Sequence, residues 1–538
     1  MSTTAGARAG GAGDDRRWSV LGVLCFSLVA ITLDNTILNV ALPTLVRQLH
    51  ATDSQLQWMV DSYTLVFACL LLPAGSLGDR FGRRGALQAG LAIFGLGSLL
   101  SALASTPDQL IATRALMGVG GAFIMPSTLS ILTNVFTDDR ERGRAIGVWA
   151  GVAGIGIALG PLAGGFLLQH FYWGSIFLVN MPIVVIAIVA GLLLVPTSRD
   201  PSAPRLDLVG ALLSIVGLAA LVYGIIEAPN VGWSNTRVLE AFTVSTVLLV
   251  VFLVWEMHSS HPMLDVKFFE NPRFSAASVG IMLVFFALFG TTFLLTQYFQ
   301  FVLGYTPLQT GVRLLPLALV LMVVAPLSAR VNEKVGTKIT VSVGLFVVAA
   351  GLALLSQVTT RTGYGDLVWR MMLMAVGMAL AMTPATDSIM GALPREKAGV
   401  GSAVNDTTRQ VGGALGVAVI GSILASRYGS DIGSFLRGKP VPPPVLHLIK
   451  HQVGAAIEVA NRVGGPAGAA LAQHARAAFV GGLHDGVLVG ALAALLGAVV
   501  VAIWLPSRPV RPDEHAMTRR SRRARTRQAE RDRPKISA

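Results

Sequence analysis

A chain of 538 residues that is 53% apolar and only 13% charged is not a string of soluble domains. Apolar runs of about 20 residues recur along nearly its whole length, so its class is all-α polytopic membrane protein. The net charge of +13 raises nucleic acid as a partner, but much of it lies in the basic run TRRSRRARTRQAERDR after the last apolar run, which reads as an anchor to anionic membrane lipid.

In chain order, a polar, Gly-rich tail (1–17) unlike a signal peptide leads into a first span near 18–42. Further spans are expected near 55–77, 86–104, 108–132, 144–168, 172–195, 207–227, 237–256, 274–300, 310–329, 339–358, 367–391, 399–425 and 484–505, about fourteen in all. An even number puts both termini on one side. Arg80, Arg83, Arg84, Arg140, Arg142, Arg144, Arg199, Arg205, Lys267, Arg273, Arg330, Lys334, Lys338, Arg395 and Lys397 share that side, while the opposite short loops offer little beyond Arg47, Arg237 and Arg361. The positive-inside rule therefore places both termini in the cytoplasm of a plasma-membrane protein.

The long outer segment, 426–483, opens with KPVPPP and is expected to form a Pro-started helical hairpin lying on the outer surface and adding little to the bundle. His447 and His451 stand four apart there, but no Glu follows the first His, and no metal is expected. Cys25 and Cys69 both lie inside apolar runs and suggest neither a disulfide nor a metal site.

Ionisable residues inside spans are the candidates for chemistry. An ionised Asp at a helix centre costs roughly 2.5–3.5 kcal/mol on insertion scales, so Asp34 is expected to face a bundle interior or wet cavity and to carry protons or ions. A structural hydrogen-bonding role is the alternative. By depth, Asp34 lies ~12 Å, Asp61 ~8 Å and Arg114 ~8–9 Å from the outer surface. Two acids and one guanidinium thus share the outer half of the first bundle, where opposite charge and burial pull a carboxyl in opposite directions. In the second half, Asp387 and Asp406 come out ~9–11 Å from the cytoplasmic face, with Arg409 three residues after Asp406. A static ion-pair network and a substrate role are both open for them. Met371, Met374, Met378 and Met382 recur at helical spacing, which suits either an adaptable cavity or ordinary packing.

Four stretches carry a family resemblance. GSLGDRFGRRG (Gly75–Gly85) resembles the signature between helices two and three of the major facilitator superfamily, and LDNTILNVALP (Leu33–Pro43) resembles the first-helix motif of its fourteen-helix drug:proton antiporters, the QacA and EmrB type. LIATRALMGVGGAF, with Arg114, resembles the fourth-helix motif and GVAGIGIALGPLAGG the fifth-helix antiporter motif. YWGSIFLVNMP, near Trp173, departs from the pattern at the outer edge of the sixth helix. QYFQFVLGYTPLQTGVRLLP from Gln297 and the stretch from Asp387 to Gly416 support the subfamily.

The resemblance implies two six-helix bundles, 18–195 and 274–505, joined by a linker with two extra helices, 196–273, and followed by a cytoplasmic tail, 506–538. The candidates are then Asp34, Asp61 and Arg114 for proton coupling, Gly75, Asp79, Arg80, Gly82, Arg83, Gly160, Pro161 and Gly164 for gating, and Gln297, Met378, Asp387, Asp406 and Arg409 for substrate contact. No nucleotide-binding loop occurs, and no nucleophile–base pair of an enzyme, so energy is expected from an ion gradient, without a cofactor. The expected activity is proton-driven export of amphipathic, cationic drugs by a monomer. A dedicated exporter of one metabolite or antibiotic, and an uptake symporter, stay open.

Overall fold

The computed structural model describes residues 8–199, 207–259, 262, 266–392 and 398–506, and every regular element among them is helical. The basic tail after 506 lies outside the described residues. The first bundle is α1 (Arg8–Leu49), α2 (Asp53–Phe81), α3 (Arg83–Ala102), α4 (Pro107–Val135), α5 (Asp139–His170) and the broken pair α6 (Ser175–Leu178) and α7 (Asn180–Leu194). An accessory pair follows, α8 (Leu208–Val231) and α9 (Thr236–His258). The second bundle is α10 (Pro272–Gln297), α11 (Pro307–Val335), α12 (Thr337–Leu355), α13 (Tyr364–Gly391) and α14 (Ala398–Leu436). Two short helices, α15 (Pro443–His451) and α16 (Val453–Val463), form a hairpin before the closing span, α17 (Gly465–Trp504).

Among the described residues, twelve helical segments are long and apolar enough to cross a membrane. The sequence expectation of about fourteen adds α2 and α5, which are 29 and 32 residues long but rich in charge at their ends. Their interiors are screened by neighbours: α2 packs on α4 and α14, and α5 on α1 and α11.

The two bundles repeat one plan. α2 and α11 each have 29 residues, each begin at a Thr–x–x–Gln capping box (Thr52 with Gln55, Thr306 with Gln309) and each end at a glycine of positive φ, Gly82 at 126° and Gly336 at 91°. At such φ a side chain is strained, and glycine permits the sharp reversal into the next helix. The bundles then meet reciprocally, α2 on α14 and α5 on α11, as a pseudo-twofold between repeats requires. α8 lies against both α2 and α14, whereas α9 packs mainly on α8.

Three boundaries differ from the sequence expectation. α1 continues through Pro43 to Leu49. The sixth span is interrupted at Val179, between α6 and α7, beside the buried Trp173 and Phe177, whose rings meet edge to face at 6.3 Å. The outer segment is also much shorter than 426–483, because α14 runs on to Leu436 and α17 starts at Gly465.

Nor does the hairpin lie loosely on the surface. Ile449, Val453, Ala456 and Ala460 are buried, Tyr428 Oη donates to the Ile449 carbonyl at 3.1 Å, and Gln452 Nε2 donates to the His50 carbonyl at 3.0 Å. Its small residues allow close approach: a Cβ added at Gly454 would fall 2.7 Å from Val46 of α1 and 3.0 Å from Phe301 of the π-helical turn after α10. The hairpin therefore spans both bundles. His447 and His451 have ring centroids 4.5 Å apart. Burial, then the neighbouring His447 and Lys450, hold the His451 pKa below its usual value. Among the described residues no group of three His, Cys, Asp or Glu is placed to hold a metal ion.

Within the bundles, small residues set the helix spacing. A Cβ at Gly120 of α4 would lie 2.5 Å from the Phe94 nitrogen and 2.7 Å from the Gly90 carbonyl of α3. Gly120→Val is thus expected to lower stability by ~1–3 kcal/mol through overpacking, read as a lower unfolding midpoint in detergent. Gly85→Ala, at a position with nothing within 4 Å, is the matched control and should leave the midpoint unchanged.

Candidate functional site

The site grows from the middle of α1. Thr32 and Thr36 face α5, where Gly156 and Gly160 leave room for them, and their hydroxyls donate back to the Leu28 and Thr32 carbonyls at 3.1 Å. Asp34 is fully buried in the first bundle, with no solvent exposure. One carboxylate oxygen, Oδ2, is ion-paired with Arg114 Nη1 of α4. The other accepts from Asn180 Nδ2, at the first residue of α7, at 3.3 Å.

Both partners of Asp34 are held in turn. Arg114 is itself only 2% exposed; its Nε donates to the Met59 carbonyl of α2 at 3.1 Å, and its guanidinium lies over the Tyr63 ring, 4.4 Å from the centroid. Asn180 Nδ2 also reaches Ser98 Oγ of α3 at 3.1 Å, and Ser98 donates to the Phe177 carbonyl at 2.8 Å. Five elements thus converge on one carboxylate. Asn180 and Ser98 are residues that sequence reasoning missed: single amide and hydroxyl side chains in apolar runs carry no spacing signal, although Asn180 does fall in the stretch where the sixth-helix pattern departs.

Asp61 stands apart from this group. Met59, Tyr63 and Phe67 look toward α4, where Gly118 and Gly121 receive Tyr63 and Phe67. Two residues on, at ~200° around the helix, Asp61 is on the opposite side of α2. It too is fully buried, and neither carboxyl oxygen has a hydrogen-bond partner. The shared depth expected from sequence therefore does not make a shared cluster. Arg114 serves Asp34.

The residues expected to gate fall in two places, around the α2–α3 turn and along α5. Gly75 abuts Pro126 of α4, with an added Cβ 3.4 Å away, and beyond Gly82 the Arg83 amide donates to the Ser198 carbonyl at 2.9 Å. Arg80 leans over Phe81, 5.7 Å from its ring centroid, and the Asp79 side chain lies outside the described residues. Gly160 and Gly164 let α5 close on Thr36 and Ile37 of α1, while the Pro161 carbonyl faces Gly311 of α11 in the other bundle. The fifth-helix motif is therefore shared between a contact inside the first bundle and a contact across to the second.

The residues expected to touch substrate are scattered. Asp406 and Arg409 are half-buried and paired at 3.6 Å; Arg409 also donates to Thr386 Oγ1 at 3.0 Å and lies over Phe285, 5.4 Å from its centroid. Asp387 is exposed at the far end of α13, within electrostatic reach of Arg273, whose Nε donates to Ser388 Oγ at 3.1 Å. Gln297 is buried, with Nε2 on the Phe293 carbonyl at 3.3 Å. Met378 is fully buried in the apolar core with Met371 and Met374, so packing is its role in this state.

Contacts between the bundles gather toward the face that bears the hairpin. Gly165 of α5 closes on Pro307 and Leu308 of α11, Gln300 Nε2 donates to the Val40 carbonyl at 2.9 Å, and Gln57 of α2 fits against Gly421 of α14.

Comparison with known proteins agrees with this arrangement. Residues 24–417 match the Major Facilitator Superfamily. The chain is 34% identical over 488 residues to the multidrug efflux pump LfrA of Mycolicibacterium smegmatis, covering 91% of this chain and 96% of that one. It is 33% identical to the tetracenomycin C resistance and export protein of Streptomyces glaucescens, covering 93% of each. In fold it resembles a bacterial homolog of the human lysosomal transporter Spinster in an inward-facing, unoccupied conformation, with a TM-score of 0.65 and 17% identity over 92% of this chain and 98% of that one.

Removing one member of a buried ion pair strands the other, at about 3–5 kcal/mol. Arg114→Leu alone should therefore destabilise the protein by roughly that amount, and Asp34→Asn added to it should recover part of the loss. A double-mutant cycle on thermal unfolding checks this; additive losses would mean the two side chains do not interact.

Proposed function

The chain belongs to the Major Facilitator Superfamily, whose members are transporters rather than enzymes, and we propose that it exports amphipathic, cationic drugs or toxic compounds across the plasma membrane in exchange for protons. In this reading it is of the fourteen-helix type, with α8 and α9 as the extra pair, and it acts as a monomer. The hairpin face is the outside, because the short loops on the opposite face carry most of the arginines and lysines. The outer access is shut, and the bundles rock about the α2–α14 and α5–α11 contacts to open it.

The observation that carries the proposal is the Asp34 carboxylate held between Arg114 and Asn180. Such a group has two states of similar energy. With Arg114 close, the anion is balanced; when α1 shifts against α4 and the pair separates, only the protonated acid avoids an uncompensated buried charge. Alternating access converts that difference into uptake of a proton outside and its release inside.

Relatives named as drug efflux and resistance proteins support the direction of transport. The half-buried Asp406, with Arg409 and the Phe285 ring beside it, supports a cationic, aromatic substrate. Energetics favour two titrating acids. Exchange of one proton for one monovalent cation moves no net charge, so only the pH gradient, ~1.4 kcal/mol per unit, would drive it. A second proton, at Asp61, would bring in the membrane potential, roughly 2.3 kcal/mol per 100 mV. Export of a single compound is the second reading, supported by the relative named for tetracenomycin C.

The test uses proteoliposomes with an imposed pH gradient and the fluorescent cation ethidium. Adding ethidium to the unmodified protein should move protons in exchange. Asp34→Asn should abolish gradient-driven ethidium transport while leaving ethidium binding in detergent within about threefold, a change below ~1 kcal/mol. An Asp34→Asn protein that still transports with its usual pH dependence would move the proton site elsewhere, with Asp61 first in line.

A further inference from the structure

α2 divides its contacts by face. Met59, Tyr63 and Phe67 serve α4 and the Arg114 group. Trp58, Leu65 and Cys69 belong instead to a separate apolar cluster with Val222 and Ile226 of α8 and Ala418 of α14, joined by Leu218 and Leu415. Positions 58, 61, 65 and 69 recur at steps of three and four, so Asp61 falls on this second stripe, between Trp58 and Leu65.

The same stripe borders the seam with α14. One turn toward the hairpin face, an added Cβ on Gly421 would lie 2.9 Å from Gln57 Cδ. Farther along, Thr407 donates to the Ala68 carbonyl at 3.4 Å. Between these two closures Asp61 is wholly buried, and neither its carboxyl nor the equally buried Gln57 amide has a hydrogen-bond partner. On α14, Asp406 is paired with Arg409, which also donates to Thr386.

Three helices meet along the stripe that carries Asp61, and they belong to three different bodies: α2 to the first bundle, α14 to the second, and α8 to neither. Without α8, the α2–α14 seam would face lipid. A carboxyl facing lipid draws in water and head groups, because snorkelling and local thinning lower its cost. A wall of packed Val, Ile and Leu side chains leaves no such path.

We infer that α8 is a lateral seal on the α2–α14 seam, keeping Asp61 from both lipid and water while the bundles are closed on the hairpin face, so that this carboxyl exchanges protons only when the bundles part. The accessory pair thereby has a part in transport: it makes proton access to the seam depend on bundle movement. The inference rests on the proposed role of Asp61 in proton coupling, and its test separates the two.

Cys69, 4% exposed in the same cluster, reports on the seal directly. With Cys25→Ser as the parent, Cys69 is the single thiol. In proteoliposomes it should react slowly with N-ethylmaleimide, and Val222→Ala with Ile226→Ala should speed the reaction about tenfold by opening the cluster. The same double variant should show a proton leak without ethidium, absent in the parent and removed by Asp61→Asn. Val222→Ala alone gives a milder version of both comparisons if the double variant folds poorly. Cys69 labelling as fast in the parent as in the variants would overturn the seal, as would a leak that is absent or that survives Asp61→Asn. Failure of ethidium to move protons in the unmodified protein would instead remove the antiport reading, and the labelling comparison would still decide whether α8 closes the seam.

Discussion

A carboxylate and a guanidinium buried together in a helical bundle are tolerated only if each remaining hydrogen-bonding group finds a partner. Asp34 and Arg114 meet that demand by drawing on five elements: α1 and α4 supply the charges, α2 a backbone carbonyl and the Tyr63 ring, α3 a serine, and the break between α6 and α7 an asparagine. The geometry of the first bundle is therefore tied to this one pair. The interruption of the sixth span at Val179 fits the same demand, because it brings Asn180 and the Phe177 carbonyl to the level of Ser98 and Asp34.

The contacts that let the bundles meet are of the opposite kind. They rely on the absence of side chains: Gly165 and Gly311 between α5 and α11, Gly421 between α2 and α14, and Gly454 between the hairpin and α1. Approach onto glycine, by backbone at Gly165 and Gly311 and by a side chain at Gly421 and Gly454, gives a close fit with little chemistry holding it, which suits surfaces that must separate and reclose. An ionic network inside one bundle and close-fitting seams between bundles together favour movement of whole bundles, accompanied by a shift of α1 against α4 at the one ionic pair.

The two buried acids differ in the same sense. Asp34 is partnered inside one bundle, whereas Asp61 has no hydrogen-bond partner and lies on the α2 face that meets the other bundle. An ionisable group in the first environment responds to small shifts of its arginine, and one in the second responds to opening of the seam. α2 links the two sites, carrying Asp61 on one face and supporting Arg114 with the other.

The sequence by itself determined the succession of apolar spans and how far along them Asp34, Asp61 and Arg114 stand, since both follow from hydropathy and a rise of ~1.5 Å per residue along each helix. The grouping into two six-span units around an extra pair came from the motifs' resemblance to a family. Its motifs also marked α5 as a close-packing helix. Depth is one coordinate, however, and neighbours depend on the angle around the helix and on which helix stands there. Only the tertiary structure decided that Arg114 belongs to Asp34 and not to Asp61, that Asn180 and Ser98 complete the group, that Met378 is core, and that the α15–α16 hairpin packs on both bundles. Those outcomes turn on side-chain direction and on gaps left by glycine in a different helix, which no local pattern in one span encodes.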